Sequence, residues 1–99
     1  MRSTRWIEKV IRTTGKVHEL KTWPQFFRFV ETGYKKFEIR KNDRDYQPGD
    51  VCILHEYDPE ENFYTGATVA VKITYVTDFM QLQGYVVFGF EKLKNKEKI

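Results

Sequence analysis

The chain is poor in the residues that build covalent or metal frameworks. Its 99 residues include one cysteine, Cys52, and two histidines, His18 and His55. A lone cysteine excludes an internal disulfide, and its place in Val51-Cys52-Ile53-Leu54 reads as a buried strand thiol without a redox or metal role. His55 has no second His or Cys at metal-ligand spacing, so no metal site is expected, and no motif calls for a cofactor. Nothing places Ser, His and Asp as a nucleophilic triad. No apolar run reaches the length of a membrane span and no secretory pattern is present, which suits a reducing, cytoplasmic setting with no membrane partner. Internal repeats, linkers and low-complexity stretches are also missing.

Aromatics and a lopsided charge are what the chain has instead. Eight Phe, six Tyr and two Trp make 16% of the sequence, so a few large rings must fill much of a small single-domain core. The formal net charge is only +3, but residues 1–50 carry twelve Lys/Arg against seven Asp/Glu (+5), whereas residues 51–99 carry five against seven (−2). A small domain polarised in this way steers towards polyanions.

The pattern divides the chain into a basic arm (1–16), a domain (17–93) and a charged tail (94–99). In the arm, Trp6, Ile7, Val10 and Ile11 have the spacing of a short amphipathic helix that starts near Ser3 or Thr4 and stops before Gly15. Val17 to Lys21 alternates as a strand. Thr22-Trp23-Pro24-Gln25 then opens a helix, with Thr22 as cap and Pro24 in the first turn. Trp23, Phe26, Phe27, Phe29 and Val30 are expected to face the core, and Gly33 to stop the helix. Strands follow over 35–41, 50–57, 67–77 and 85–93, separated by turns at Asn42–Asp45, Pro48-Gly49, an acidic tip at Asp58–Asn62, and a loop at Asp78–Gln83. In the last two strands Val69, Val71, Ile73 and Tyr75 share one face, and Val86, Phe88 and Phe90 alternate. The expected fold is α+β, mainly β: about five strands closing as a small barrel, with one or two flanking helices.

The segment Gly33-Tyr34-Lys35-Lys36-Phe37-Glu38-Ile39-Arg40-Lys41-Asn42-Asp43-Arg44 carries the chemistry. Alternation sends Phe37 and Ile39 towards a core and Lys36, Glu38 and Arg40 outwards. Glu38 and Arg40, two residues apart on one face, either pair with each other or share a ligand. Lys21, Lys35, Lys36, Arg40, Lys41 and Arg44 are candidates for phosphate contacts, Glu38 for accepting from a base amine, and Tyr34 or Trp23 for stacking. His18 reads either as a ligand or base group or as hydrogen-bonded structure. The acidic tip would repel a polyanion, which is expected to approach from the opposite side.

Several strings resemble a known family. Gly33-x-Lys35-x-x-Glu38-x-Arg40 followed by Gly49-Asp50 is similar to the ASCH domains of the PUA-like superfamily. The chain more narrowly resembles the small phage- and bacterium-associated DUF3850 group. That likeness rests on His18-Glu19-Leu20-Lys21, the run from Phe37 to Arg44, Glu56-Tyr57-Asp58, Tyr64-Thr65-Gly66 and Gly84-Tyr85-Val86. The resemblance implies a PUA-like barrel that binds RNA or modified nucleotides. Some ASCH proteins are amidohydrolases that use a Lys, a Thr and a distant Glu. The Lys falls here on Lys35, but the Thr position is Glu38, and no counterpart of the helical insertion bearing the Glu lies between Thr77 and Gly84. The expectation is therefore a non-enzymatic RNA- or nucleotide-binding module. The alternatives are a hydrolase of a modified nucleoside, with Lys35 and Glu38 as weak catalytic candidates, and a module that binds a protein partner through the Trp6–Ile11 arm.

Overall fold

In the computed structural model, residues 15–94 are described, so the expected N-terminal helix and the charged tail beyond Lys94 lie outside the described residues. The order of elements is β1 (Val17–Thr22), α1 (Pro24–Glu31), β2 (Phe37–Lys41), β3 (Val51–Asp58), β4 (Phe63–Thr77) and β5 (Tyr85–Lys92). The five strands form one sheet in the order β1-β3-β4-β5-β2, with β1 parallel to β3 and the other pairs antiparallel. The fold is mainly β: a curled half-barrel with a single short helix among the described residues. That helix is too short to cross a membrane, and no described helix is long and apolar enough to do so.

Alternation in the strands builds the core. Leu20 of β1, Cys52 and Leu54 of β3, Val69, Val71 and Ile73 of β4, and Val86, Phe88 and Phe90 of β5 turn inwards, and Phe27 and Val30 of α1 close over them. Tyr46 joins from the β2–β3 connection, its ring 4.8 Å from that of Phe88. The β2–β3 chain reverses at Gln47-Pro48-Gly49-Asp50, where Asp50 N bonds Gln47 O at 3.0 Å. Gly49 has φ +94°, the left-handed conformation that a type II turn needs at its third position and that glycine adopts without strain.

Three expectations about packing are corrected. Of the rings assigned to the core around α1, only Phe27 is buried, and Trp23, Phe26 and Phe29 are half exposed; an eight-residue helix lying on a sheet offers one narrow stripe, and Phe27 and Val30 fill it. Thr22 is not the helix cap. Trp23 occupies that position without a side-chain bond, and Thr22 is buried at the end of β1. Tyr75 leaves the face of Val69, Val71 and Ile73 because a bulge between Ile73 and Tyr75 adds one residue and turns Tyr75 to solvent.

The largest correction concerns β2. Glu38 is 5% exposed, whereas Phe37 and Ile39 are on the outer surface. The strand is inverted relative to its hydrophobic pattern. Period-2 alternation states which residues share a face but not which face is inside, and here a neutralised carboxylate takes the inner one.

Candidate functional site

The two edge strands, β1 and β2, curl towards one another, and the site lies between them. Val51 N bonds Lys16 O at 2.9 Å, which fixes the parallel ladder so that Val17, Glu19 and Lys21 turn their backbone groups away from β3. Phe90 N bonds Lys36 O and Asn42 N bonds Gly84 O, so Phe37, Ile39 and Lys41 likewise turn theirs away from β5. Two arginines reach across this gap. Arg44 Nη1 donates to Glu19 O at 3.2 Å, and Arg40 Nη2 donates to Lys21 O at 2.9 Å and Thr22 Oγ1 at 3.3 Å. Side chains therefore close the barrel where the backbone ladder stops, and an exposed edge is capped with cations.

Arg40 also belongs to an ion network. Its Nε donates to Glu38 Oε1 at 3.0 Å, and Lys35 Nζ donates to Glu38 Oε2 at 2.6 Å and to Phe37 O at 2.6 Å. Glu38 is thus compensated on both oxygens, which is what makes its burial tolerable. A second buried pair anchors the start of β1. Asp50 Oδ2 accepts from His18 Nε2 at 2.8 Å and from Gln47 N at 3.1 Å, and its Oδ1 accepts from Lys16 N at 3.1 Å. The edge of the His18 ring packs on Tyr46 at 4.9 Å. Between its two sequence readings, His18 takes the structural one.

A cleft of about 820 Å³ runs along the β1 edge, walled by Lys21, Arg40, Lys41 and Arg44, with Glu19, Asp43, His55 and Tyr64 among its other walls. Glu19 Oε1 accepts from His55 Nε2 at 2.7 Å. Lys21 Nζ lies 4.4 Å from the ring centroid of Tyr57, a cation–π contact that holds the ammonium at the rim. A second recess of about 510 Å³ adjoins the cleft through Lys21 and Arg40, and Trp23, Phe26, Phe37 and Ile39 wall it around Lys35 and Glu38.

Of the residues singled out in the sequence, Lys21, Arg40, Lys41 and Arg44 converge on the cleft, and Trp23, Lys35 and Glu38 meet in the recess. Tyr34 and Lys36 line neither; Tyr34 is 83% exposed in the turn after α1. The acidic tip is not opposite the site. Tyr57 pairs with Tyr64 and Asp58 with Phe63, so the Asp58–Glu61 turn begins just beyond the Tyr64 end of the cleft. Glu19, His55 and Tyr64 were missed as site residues. The parallel register Lys21↔His55 brings Glu19 and His55 to one edge, a pairing between strands so distant in sequence that it leaves no local signal, and Tyr64 joins them through the β3–β4 register Tyr57↔Tyr64. Among the described residues, no group of three or more His, Cys, Asp or Glu side chains is arranged to hold a metal ion.

Burial pushes the Cys52 thiol up to about 12 and raises the Tyr46 phenol above its ordinary value. Both groups therefore stay protonated at neutral pH and act as packing.

The sequence profile of a family described only as a domain of unknown function, DUF3850, matches residues 17–90. The chain is 42% identical over 74 residues to the "Uncharacterized 12.9 kDa protein in GpA 3'region" of Escherichia phage P2. That match covers 74% of this chain and 66% of the phage protein, just under two-thirds of its length. The family match runs from the start of β1 into β5, and the chain belongs to the DUF3850 family.

Proposed function

We propose that this domain binds RNA, or a nucleotide carried by it, without catalysing a reaction. One observation carries the reading: Lys21, Arg40, Lys41 and Arg44 converge on a single cleft with Tyr64 on its wall. Cations at this density suit phosphates, and a half-exposed tyrosine suits stacking of a base. Glu19 and the neighbouring acidic tip give the cleft a direction, with phosphate favoured at the Lys41–Arg44 end, where Asp43 lies 3.9 Å from Arg44. Glu38 and Lys35, in the adjoining recess, hold Arg40 in place rather than read a base, since their polar atoms are largely spent on one another. The curled five-stranded sheet supports reading the chain as an ASCH or PUA-like half-barrel.

The test is fluorescence anisotropy of a short single-stranded RNA across a salt series. Single-strand binding loses about 0.7 in the slope of log K against log salt per phosphate contact. Lys41→Ala with Arg44→Ala should therefore flatten the slope by about 1.4. An unchanged slope and affinity would remove this site.

A second reading is favoured by the recess, where Lys35 and Glu38 sit 2.6 Å apart behind four apolar side chains. Such a pair would serve a hydrolase of a modified nucleoside, with Glu38 as base. Turnover that Glu38→Gln abolishes would establish it, and no turnover across a panel of acylated nucleosides would dismiss it.

A further inference from the structure

The outer face of the sheet holds a feature that the cleft does not use. Gly89 lies in β5, a central strand, and pairs with Phe37 of β2 on one side and Tyr75 of β4 on the other. Glycine weakens the interior of a strand, and it often marks the close approach of a ligand. The fold does not require it at this position. Its φ lies outside the left-handed region, and an added Cβ would meet only Thr74 Oγ1 at 3.7 Å and Lys36 O at 3.9 Å, both ordinary contacts.

Alternation sends Val86, Phe88 and Phe90 into the core and leaves Gly89 on the outer face. The rings on either side stay open. Phe37 is 44% and Tyr75 66% exposed, and no atom of either comes within 4 Å of a Cβ placed on Gly89, so neither supplies the close aromatic covering that would explain the glycine as structure. The strands bearing the two rings are two sheet spacings apart, about 10 Å. A planar ring sandwiched at contact distance on both faces needs about 7–8 Å.

We propose that Phe37, Gly89 and Tyr75 form a slot for one unpaired nucleobase, with the Thr74 hydroxyl at its floor available to the edge of the base. This rests on the nucleic-acid reading above and deepens it. The charges around the slot match that occupant. Lys36 precedes Phe37 and Lys41 ends the same strand, and both are exposed. Phe37 in the slot and Lys41 in the cleft are four residues apart on β2, about 13 Å, so one short oligonucleotide reaches both. An aromatic side chain of a partner protein would need no cations here.

Two variants test the slot: Gly89→Val, which fills the floor, and Tyr75→Ala, which removes a wall. A labelled oligouridylate and an abasic strand of equal length are the probes. Each variant should bind the oligouridylate roughly tenfold more weakly than the parent does, as expected for one lost stacking contact. Each should bind the abasic strand as the parent does, and Gly89→Val should melt no lower than the parent. Parent-like binding of the oligouridylate by both variants overturns the slot and leaves the cleft standing. Equal losses on both probes also overturn it, and failure of the parent to bind either probe overturns slot and cleft together.

Discussion

Arg40→Ala should destabilise the domain strongly even though the residue is polar and partly exposed. The substitution removes the 3.0 Å bond to Glu38 and the bonds to Lys21 O and Thr22 Oγ1 that tie β2 to β1. Glu38 then keeps Lys35 alone as a cation. Removing one partner from a buried ion pair costs about 3–5 kcal/mol. Lys35 still compensates one oxygen and the Arg40 side chain retains 23% exposure, so the loss expected here is about 2–3 kcal/mol. For a domain of this size that is a drop in Tm of about 10–20 °C. Urea unfolding followed by circular dichroism measures the loss directly. The double variant Glu38→Leu/Arg40→Leu removes both charges and should recover at least half of it. A loss below about 0.5 kcal/mol for Arg40→Ala, or a double variant no better than the sum of the singles, would refute the claim that this network holds the barrel mouth. The same reasoning makes Arg40→Ala and Lys35→Ala poor probes of binding, because either would disturb the fold. Lys41 is the cleaner choice, and Arg44 comes next, since it gives up an exposed bond to Glu19 O.

Other consequences follow from the same packing. Asp50→Ala strips three bonds from a buried hub and should cost about 3 kcal/mol or more by chemical denaturation. Ile39→Lys lies on the outer face and should cost under about 1 kcal/mol, whereas Phe88→Ala in the core should cost about 3–5; similar losses for the two would contradict the inverted β2. Cys52, raised from 9.0 to about 12 by burial, should resist alkylation at pH 8 until the protein is unfolded. Its unfolded state releases the proton first, so folding stability should be undiminished below about pH 9 and fall towards pH 12, by at most about 1.4 kcal/mol per pH unit for this group. The raised Tyr46 acts in the same direction. A denaturation midpoint that stays flat or rises over that range would contradict the burial of both groups.

The strands were legible because alternation is local. Val86, Phe88 and Phe90 announce the inner face of β5, and Pro48-Gly49 announces a turn, without any knowledge of the rest of the chain. Much of the candidate cleft was legible for a different reason: Arg40, Lys41 and Arg44 are cations clustered in and just after one strand, and the curl of the sheet brings Lys21 of β1 to the same cleft. The burial of Glu38 is not legible in the sequence, where the pattern of its strand reads as polar-out. A carboxylate with two cations in reach is as good an inner residue as isoleucine, and alternation cannot tell the two choices apart. Glu19 and His55 stayed hidden because β1 pairs with β3 across more than thirty residues, and no spacing within either strand encodes that partnership; Tyr64 gains its place beside them only once that pairing has formed the cleft. Gly89 gave no signal at all, since its significance depends on Phe37 and Tyr75 meeting it from two other strands.

The central claim is that the gap between the β1 and β2 edges is the binding surface. An NMR titration of isotopically labelled protein with a short single-stranded RNA tests it most directly. The account predicts amide shifts concentrated at Glu19–Lys21, Lys41–Tyr46 and Tyr64, which weaken as salt is added. Shifts confined to other parts of the surface, or none at RNA concentrations that saturate ordinary single-strand binders, would contradict it.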